Sequence, residues 1–173
     1  AGENIALALS IVKAPAQEID GRVKEQFLSH VKKWMTAMYG QDPLDNQGYV
    51  RMINRKHYDR VMGLIDPAKV VYGGRGDPDT LKIQPTILDG VSPEDPVMQE
   101  EIFGPLLPVL TYDTLDRAVE FINSRPHPLA LYLFSEDRAA QERFLRQVPF
   151  GGGCVNDTII HLATSRMGFG GVG

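Results

Sequence analysis

Cysteine is nearly absent from this sequence: Cys154 stands alone in 173 residues. A single thiol closes no internal disulfide, which excludes a stapled secreted scaffold and points to a reducing compartment, the cytoplasm. Positive charge is not in excess either. Lys and Arg number 18 against 22 Asp and Glu, a net charge of -4. The basic residues are scattered, so the footprint of a nucleic-acid or anionic-membrane partner is missing. No apolar run reaches the roughly 20 residues that a membrane helix needs. The N-terminal ENIALALSIV has neither the basic region nor the small-residue cleavage site of a secretory signal. The patterns G-x-x-x-x-G-K-[ST] and H-E-x-x-H do not occur, and His30, His57, His127 and His161 share no metal-ligand spacing. Phosphate-loop and zinc-protease chemistry are thereby removed, and no metal centre is predicted. What is left is a chain of one-domain length, free of repeats, whose ligand is a small molecule.

The first half reads as helices followed by short extended pieces. After Asp20, Val23, Phe27, Val31, Trp34, Met35 and Met38 recur at helical spacing, with Asp20 as cap and Gly40 as stop. A second helix is predicted from about Tyr49 to Ile65, with Met52, Ile53, Val61, Leu64 and Ile65 inward and Asp66-Pro67 ending it. KVVYGGRGDPDT reads as a strand running into a turn, and LKIQPTIL as an extended segment that Pro85 keeps off a central ladder position. From Leu106 the order becomes β-α-β-α-β. LLPVLTY is a strand, Thr114 caps a helix, PLALYLFS is a strand apolar at nearly every position, Ser135 caps a helix that stops at Pro149, and GGCVN is a third strand. That alternation implies a parallel sheet with right-handed crossovers.

Ligands of open parallel sheets bind beyond the carboxyl ends of the strands. Cys154 falls inside its strand, where burial as a small apolar residue outweighs reactivity. A thiol hydrolase using Cys154 with His161 as base stays conceivable. Against it, a strand interior gives the thiol no helix N-terminus or adjacent cation. GFGGVG formally fits G-x-G-x-x-G at Gly168, Gly170 and Gly173, without the strand and helix which that mechanism requires. The most unusual stretch is PVMQEEIFGPLLPV. Its acid pair, Glu100 and Glu101, lies among Val97, Met98, Ile102 and Phe103, which draw the segment inward. An acid held there requires a hydrogen-bond partner, and ligand hydroxyls supply one.

MQEEIFGPLLPV closely resembles the EEIFGP signature of the aldehyde dehydrogenase superfamily. IQPTILDGV, RPHPLALYLFSED, GGGCVND and GFGGVG stand in the order and approximate spacing of that family, so the resemblance spans about Arg22 to Gly173. It implies a three-layer α/β/α fold with a mostly parallel sheet: a single domain over 1–173, part of the family's catalytic domain, with the dinucleotide-binding domain and C-terminal arm absent. The implied reaction is NAD- or NADP-dependent oxidation of an aldehyde to an acid through a cysteine thiohemiacetal and thioester. Glu101 then accepts hydrogen bonds from the nicotinamide ribose, and Phe103 packs beside it. Asn156 is the strand-end asparagine near the active site, and Phe169 borders the aldehyde channel. His161, with Ile159, Ile160 and Leu162, lies on the loop that shapes substrate choice. The family's nucleophilic cysteine precedes the helix near Arg22, where AGENIALALSIVKAPAQEID has none. No catalytic residue is therefore assigned in this chain, which is expected to be inactive alone, and Cys154 aligns with a variable core position. A homo-oligomer is implied for the full-length enzyme. A non-catalytic binding or assembly module on the same fold remains the alternative.

Overall fold

The computed structural model describes residues 5–11, 17–163, 166 and 168. In chain order the elements are β1 (Ile5–Ile11), β2 (Gln17–Asp20), α1 (Lys24–Tyr39), α2 (Arg55–Gly63), β3 (Val70–Tyr72), β4 (Gly76–Asp77), β5 (Lys82–Ile83), β6 (Thr86–Leu88), β7 (Leu106–Tyr112), α3 (Leu115–Asn123), β8 (Ala130–Ser135), α4 (Arg138–Gln147) and β9 (Gly152–Val155). They form two compact units, Ala1–Lys24 with Leu110–Gly173, and Glu25–Val109. The class is α/β, as expected, and the ladders β6–β7 and β8–β9 run parallel.

From β7 onward the expected β-α-β-α-β run is present, and in the first unit β8 carries the core. Leu131 and Leu133 pack with Val119 and Ile122 of α3 and with Phe144 and Val148. A strand with neighbours on both edges and helices against it hides nearly every residue, which is why ALYLFS reads as continuously apolar. Thr114 caps α3, its side chain accepting from the Arg117 amide. The cap of α4 is Asp137, whose side chain accepts from the amides of Ala139 and Ala140. The expected cap, Ser135, is instead the last residue of β8, and its Oγ accepts from the Asp137 amide at 3.1 Å. An element absent from the sequence reading is β1, which pairs antiparallel with β2 on one side and β8 on the other.

Asp20 does not cap α1. It ends β2 and turns back on Arg22, accepting from its amide at 2.9 Å and from its guanidinium at 2.5 Å. Those Arg22 hydrogen bonds hold its carboxyl below the ordinary range. Gly40, at a φ of 91°, ends the helix as predicted. The apolar stripe of α1 does not all turn inward: Leu28 is buried, while Trp34 is 63% and Met38 65% exposed.

In the second unit, α2 is shorter than its periodicity suggested. Asn54 caps it by accepting from the His57 amide at 2.9 Å, so Tyr49 to Asn54 lie before the helix. Two tertiary hydrogen bonds take that stretch out of helix: the Met52 amide donates to the Leu81 carbonyl and the Tyr49 hydroxyl to the Ile83 carbonyl, both at 2.8 Å. Burial pushes the Tyr49 hydroxyl up to about 12. Ile53, expected inward, is 84% exposed, whereas Val61 and Leu64 are buried. β6 is fully buried and lies between β3 and β7. Pro85 thus does not exclude the segment from a central position. It sits just ahead of the ladder, where its missing amide costs nothing, and the first amide used is that of Thr86, donating to the Pro105 carbonyl at 2.8 Å.

Candidate functional site

The segment from Gln99 to Pro105 joins a short 3-10 turn, Pro96–Met98, to β7 without regular structure of its own. Val97, Met98 and Ile102 are buried and anchor it. The acid pair does not follow them inward. Glu100 and Glu101 are both exposed, and among the described residues no hydrogen bond engages the Glu101 carboxylate. Water solvates these carboxylates, so anchoring costs no buried charge. Phe103 is 72% exposed and has a left-handed φ of 42°. For a bulky residue that conformation is strained and persists only where the surroundings enforce it.

Two neighbouring residues of α2 do so. The Arg60 guanidinium donates to the Glu101 carbonyl at 3.2 Å and to the Ile102 carbonyl at 2.6 Å, and it pairs with the Glu100 carboxylate at 3.1 Å. On the other side of Phe103, a Cβ on Gly104 would stand 2.7 Å from Cγ1 of Val61. Only glycine lets the chain pass so close to the helix. Phe103 is also one wall of an open apolar cleft of about 650 Å³, lined with it by Tyr49, Met52, Ile53, Ile83 and Pro105. Glu101 does not line that cleft.

In the other unit, Asn156 follows β9 with a φ of 57°. Its Oδ1 accepts from the Ser135 amide at 2.8 Å and its Nδ2 donates to the Ser135 carbonyl at 3.0 Å. The side chain continues the β8–β9 ladder by one residue, and asparagine tolerates this conformation better than most residues. His161 lies over Gly152, where a Cβ would stand 2.6 Å from its Cδ2, and beside Tyr132 with ring centroids 5.6 Å apart. Its Nδ1 is 3.8 Å from Sγ of Cys154, which is half-buried rather than enclosed in the core. The structure therefore brings together the pair raised by the hydrolase reading. Ile159, Ile160 and Leu162 are exposed on the same loop. Phe169 lies outside the described residues, as do Gly170 and Gly173. Among the described residues no three His, Cys, Asp or Glu side chains are grouped to hold a metal, and no helix is long and apolar enough to cross a membrane.

Arg60 is the residue that sequence reasoning missed. It looks like one more charge on the outer face of a helix, and no spacing rule connects it to carbonyls 41 and 42 residues away.

The α/β class and the E-E-I-F-G-P segment carry the resemblance read from the sequence, and the comparison with known proteins shows the family. The chain belongs to the aldehyde dehydrogenase family, whose profile matches residues 18–173. It is 47% identical over 153 residues to the 4,4'-diaponeurosporen-aldehyde dehydrogenase of Staphylococcus aureus, covering 87% of this chain and 33% of that protein. The dimeric NADP-preferring aldehyde dehydrogenase of Rattus norvegicus is 42% identical over 154 residues, covering 89% and 34%. Among solved structures, the substrate-bound state of Staphylococcus aureus AldH superposes with a TM-score of 0.85 at 45% identity, over 88% of this chain and 34% of that one. An indole-3-acetaldehyde dehydrogenase complexed with NAD+ gives a TM-score of 0.70 at 29% identity, over 81% and 30%. The chain thus spans about a third of the length of these relatives.

Proposed function

We propose that this chain is the part of an NAD(P)-dependent aldehyde dehydrogenase that grips the nicotinamide ribose and borders the aldehyde channel. The carrying observation is the clamped segment that displays Glu101 and Phe103 from a backbone fixed by Arg60, Val61 and buried Ile102. The residues present suit a dinucleotide. An exposed carboxylate that takes no hydrogen bond among the described residues can accept from two ribose hydroxyls, and an exposed aromatic beside it offers a packing face. Bound, the coenzyme supplies the hydride acceptor, and Glu101 contributes positioning rather than chemistry at the aldehyde.

The oxidation itself proceeds through a cysteine thiohemiacetal and thioester, with a nucleophile other than Cys154 that these 173 residues do not supply. The 173-residue chain alone is then inactive. Asn156 keeps the end of β9 in place, His161 faces the substrate, and the aldehyde-channel role of Phe169, outside the described residues, rests on the family resemblance alone. The exposed Ile159, Ile160 and Leu162 favour an apolar aldehyde. The enzyme is cytoplasmic and homo-oligomeric in this reading, with NAD and NADP both open as coenzymes.

The test is a pair of substitutions in a polypeptide of full family length that carries this segment. Glu101→Gln keeps the length and one acceptor but removes charge assistance, worth about 1.5 to 3 kcal/mol. At about 1.4 kcal/mol per decade, hydride transfer in single-turnover experiments slows about ten- to a hundredfold. Glu100→Gln, at an exposed ion pair, costs less than about threefold. Equal damage from both, or damage from Glu100→Gln alone, sinks the reading.

A further inference from the structure

We infer that Arg60 is a positioning residue for the coenzyme, acting through the backbone carbonyls of Glu101 and Ile102 rather than by touching the ligand. The inference rests on the proposed role of Glu101 and adds a residue to it. Three observations carry it. The carbonyls of Glu101 and Ile102 belong to a stretch with no ladder or helix of its own, and one planar guanidinium takes both, at 3.2 and 2.6 Å. The next residue, Phe103, is held at a φ of 42°, a conformation its own side chain disfavours. The residue after Arg60 on the same helix, Val61, is fully buried and blocks the chain at Gly104. One turn of α2 therefore grips the backbone on both sides of Phe103.

Arginine suits this task better than lysine. Its donors are fixed in one plane and can serve two neighbouring acceptors together, whereas an ammonium acts as a point charge on a flexible stem. The Arg60 side chain is also more covered than the Glu100 carboxylate it pairs with, 25% against 46% exposed. Of its three contacts, the bond to the Ile102 carbonyl is part-buried, while those to the Glu101 carbonyl and the Glu100 carboxylate are exposed. Without the carbonyl contacts, Glu101 and Phe103 would still be present, but their backbone would sample several conformations, and binding would have to select one of them.

The experiment uses a full-length family polypeptide carrying this segment, with Arg60→Met, Arg60→Lys, Glu100→Gln, Glu101→Gln and the double variant Arg60→Met/Glu101→Gln. Coenzyme affinity is read by calorimetry without aldehyde, hydride transfer by single turnover, aldehyde KM by steady state, and order at residues 99–105 by hydrogen exchange. Arg60→Met is expected to weaken coenzyme binding about tenfold and to slow hydride transfer by about ten- to a hundredfold. It should speed exchange at 99–105 and leave aldehyde KM within about twofold. Arg60→Lys should fall between, and Glu100→Gln should cost much less than Arg60→Met. In the Glu101→Gln background, Arg60→Met should have little further effect, because the group it positions is already disabled.

If Arg60→Met, or Arg60→Lys where the methionine variant does not fold, leaves coenzyme affinity at the wild-type value while Glu101→Gln weakens it, the positioning role is wrong and the reading of Glu101 stands. If the effects of Arg60→Met and Glu101→Gln simply multiply, Arg60 acts elsewhere and the proposal also fails. If Glu101→Gln is silent, the reading of the site falls and takes the role of Arg60 with it.

Discussion

Gly104 passes close against Val61, and Gly104→Ala tests that contact in the 173-residue chain without coenzyme. The added methyl would stand 2.7 Å from Cγ1 and 3.0 Å from Cγ2 of Val61. Ordinary carbon contacts lie at about 3.5 to 4.0 Å. Val61 is fully buried in α2, where a β-branched side chain has essentially one rotamer, so it cannot swing away. Overpacking of this kind costs about 1 to 3 kcal/mol. Val61→Ala removes two buried methyl groups, at about 0.8 kcal/mol each before any cavity cost, and should destabilise by about 2 kcal/mol. Together the two changes compensate. Once Cγ1 and Cγ2 are gone, the nearest remaining Val61 atom is Cβ at 3.4 Å, and the alanine at 104 fills the vacated space. The double variant should be more stable than the sum of the single losses by about 1 to 2 kcal/mol. Because the chain forms two compact units, urea denaturation is best followed by hydrogen exchange at Ile87 and Leu88, in the same unit as Gly104. Additivity within about 0.5 kcal/mol would refute the contact, as would a Gly104→Ala variant as stable as the wild type.

Two further outcomes follow from side chains outside the clamp. The Asp95 carboxyl is held below its ordinary value of 3.8, first by the Lys69 ammonium hydrogen-bonded to it and then by the Ser92 amide. A carboxyl depressed in the folded state adds stability that is present above the unfolded value and lost as pH falls through the lower folded value. Asp95→Asn should therefore lower Tm at pH 7 and flatten the acid limb below about pH 4; parallel Tm profiles would contradict the assignment. Cys154 is half-buried on β9, so iodoacetamide at pH 7 should modify it more slowly than free cysteine, with urea removing the difference. His161→Ala should change that rate by less than about twofold, since proximity to an imidazole at 3.8 Å does not by itself make a nucleophile. A fast native reaction abolished by His161→Ala would restore the thiol hydrolase.

Much of the candidate site was legible because its signals are local. E-E-I-F-G-P names its own segment, and the turn at Gly104-Pro105 leading into β7 is written in adjacent residues. The direction of the acids was not legible. Apolar neighbours suggested an inward segment, and the backbone instead alternates, burying Ile102 while Glu101 and Phe103 face out. Cys154 was expected in the core on residue type, yet its depth depends on which element covers β9, and that element is the loop bearing His161.

Sequence by itself determined the α/β alternation from Leu106 onward, the stop of α1 at Gly40 and the family, since each rests on periodicity, a glycine at positive φ or a run of contiguous residues. Only tertiary structure decided where α2 begins, whether β6 is central, how β1 joins β2 and β8, and that Trp34 and Met38 stay exposed. The physical reason is that amphipathic spacing reports a preference for burial but not its partner. The Met52 amide goes to Leu81, the Tyr49 hydroxyl to Ile83 and the Arg60 guanidinium to Glu101 and Ile102. Such long-range hydrogen bonds are satisfied only once the chain has folded back on itself, and they override the local pattern because an unpaired polar group left inside costs more than a misplaced apolar one.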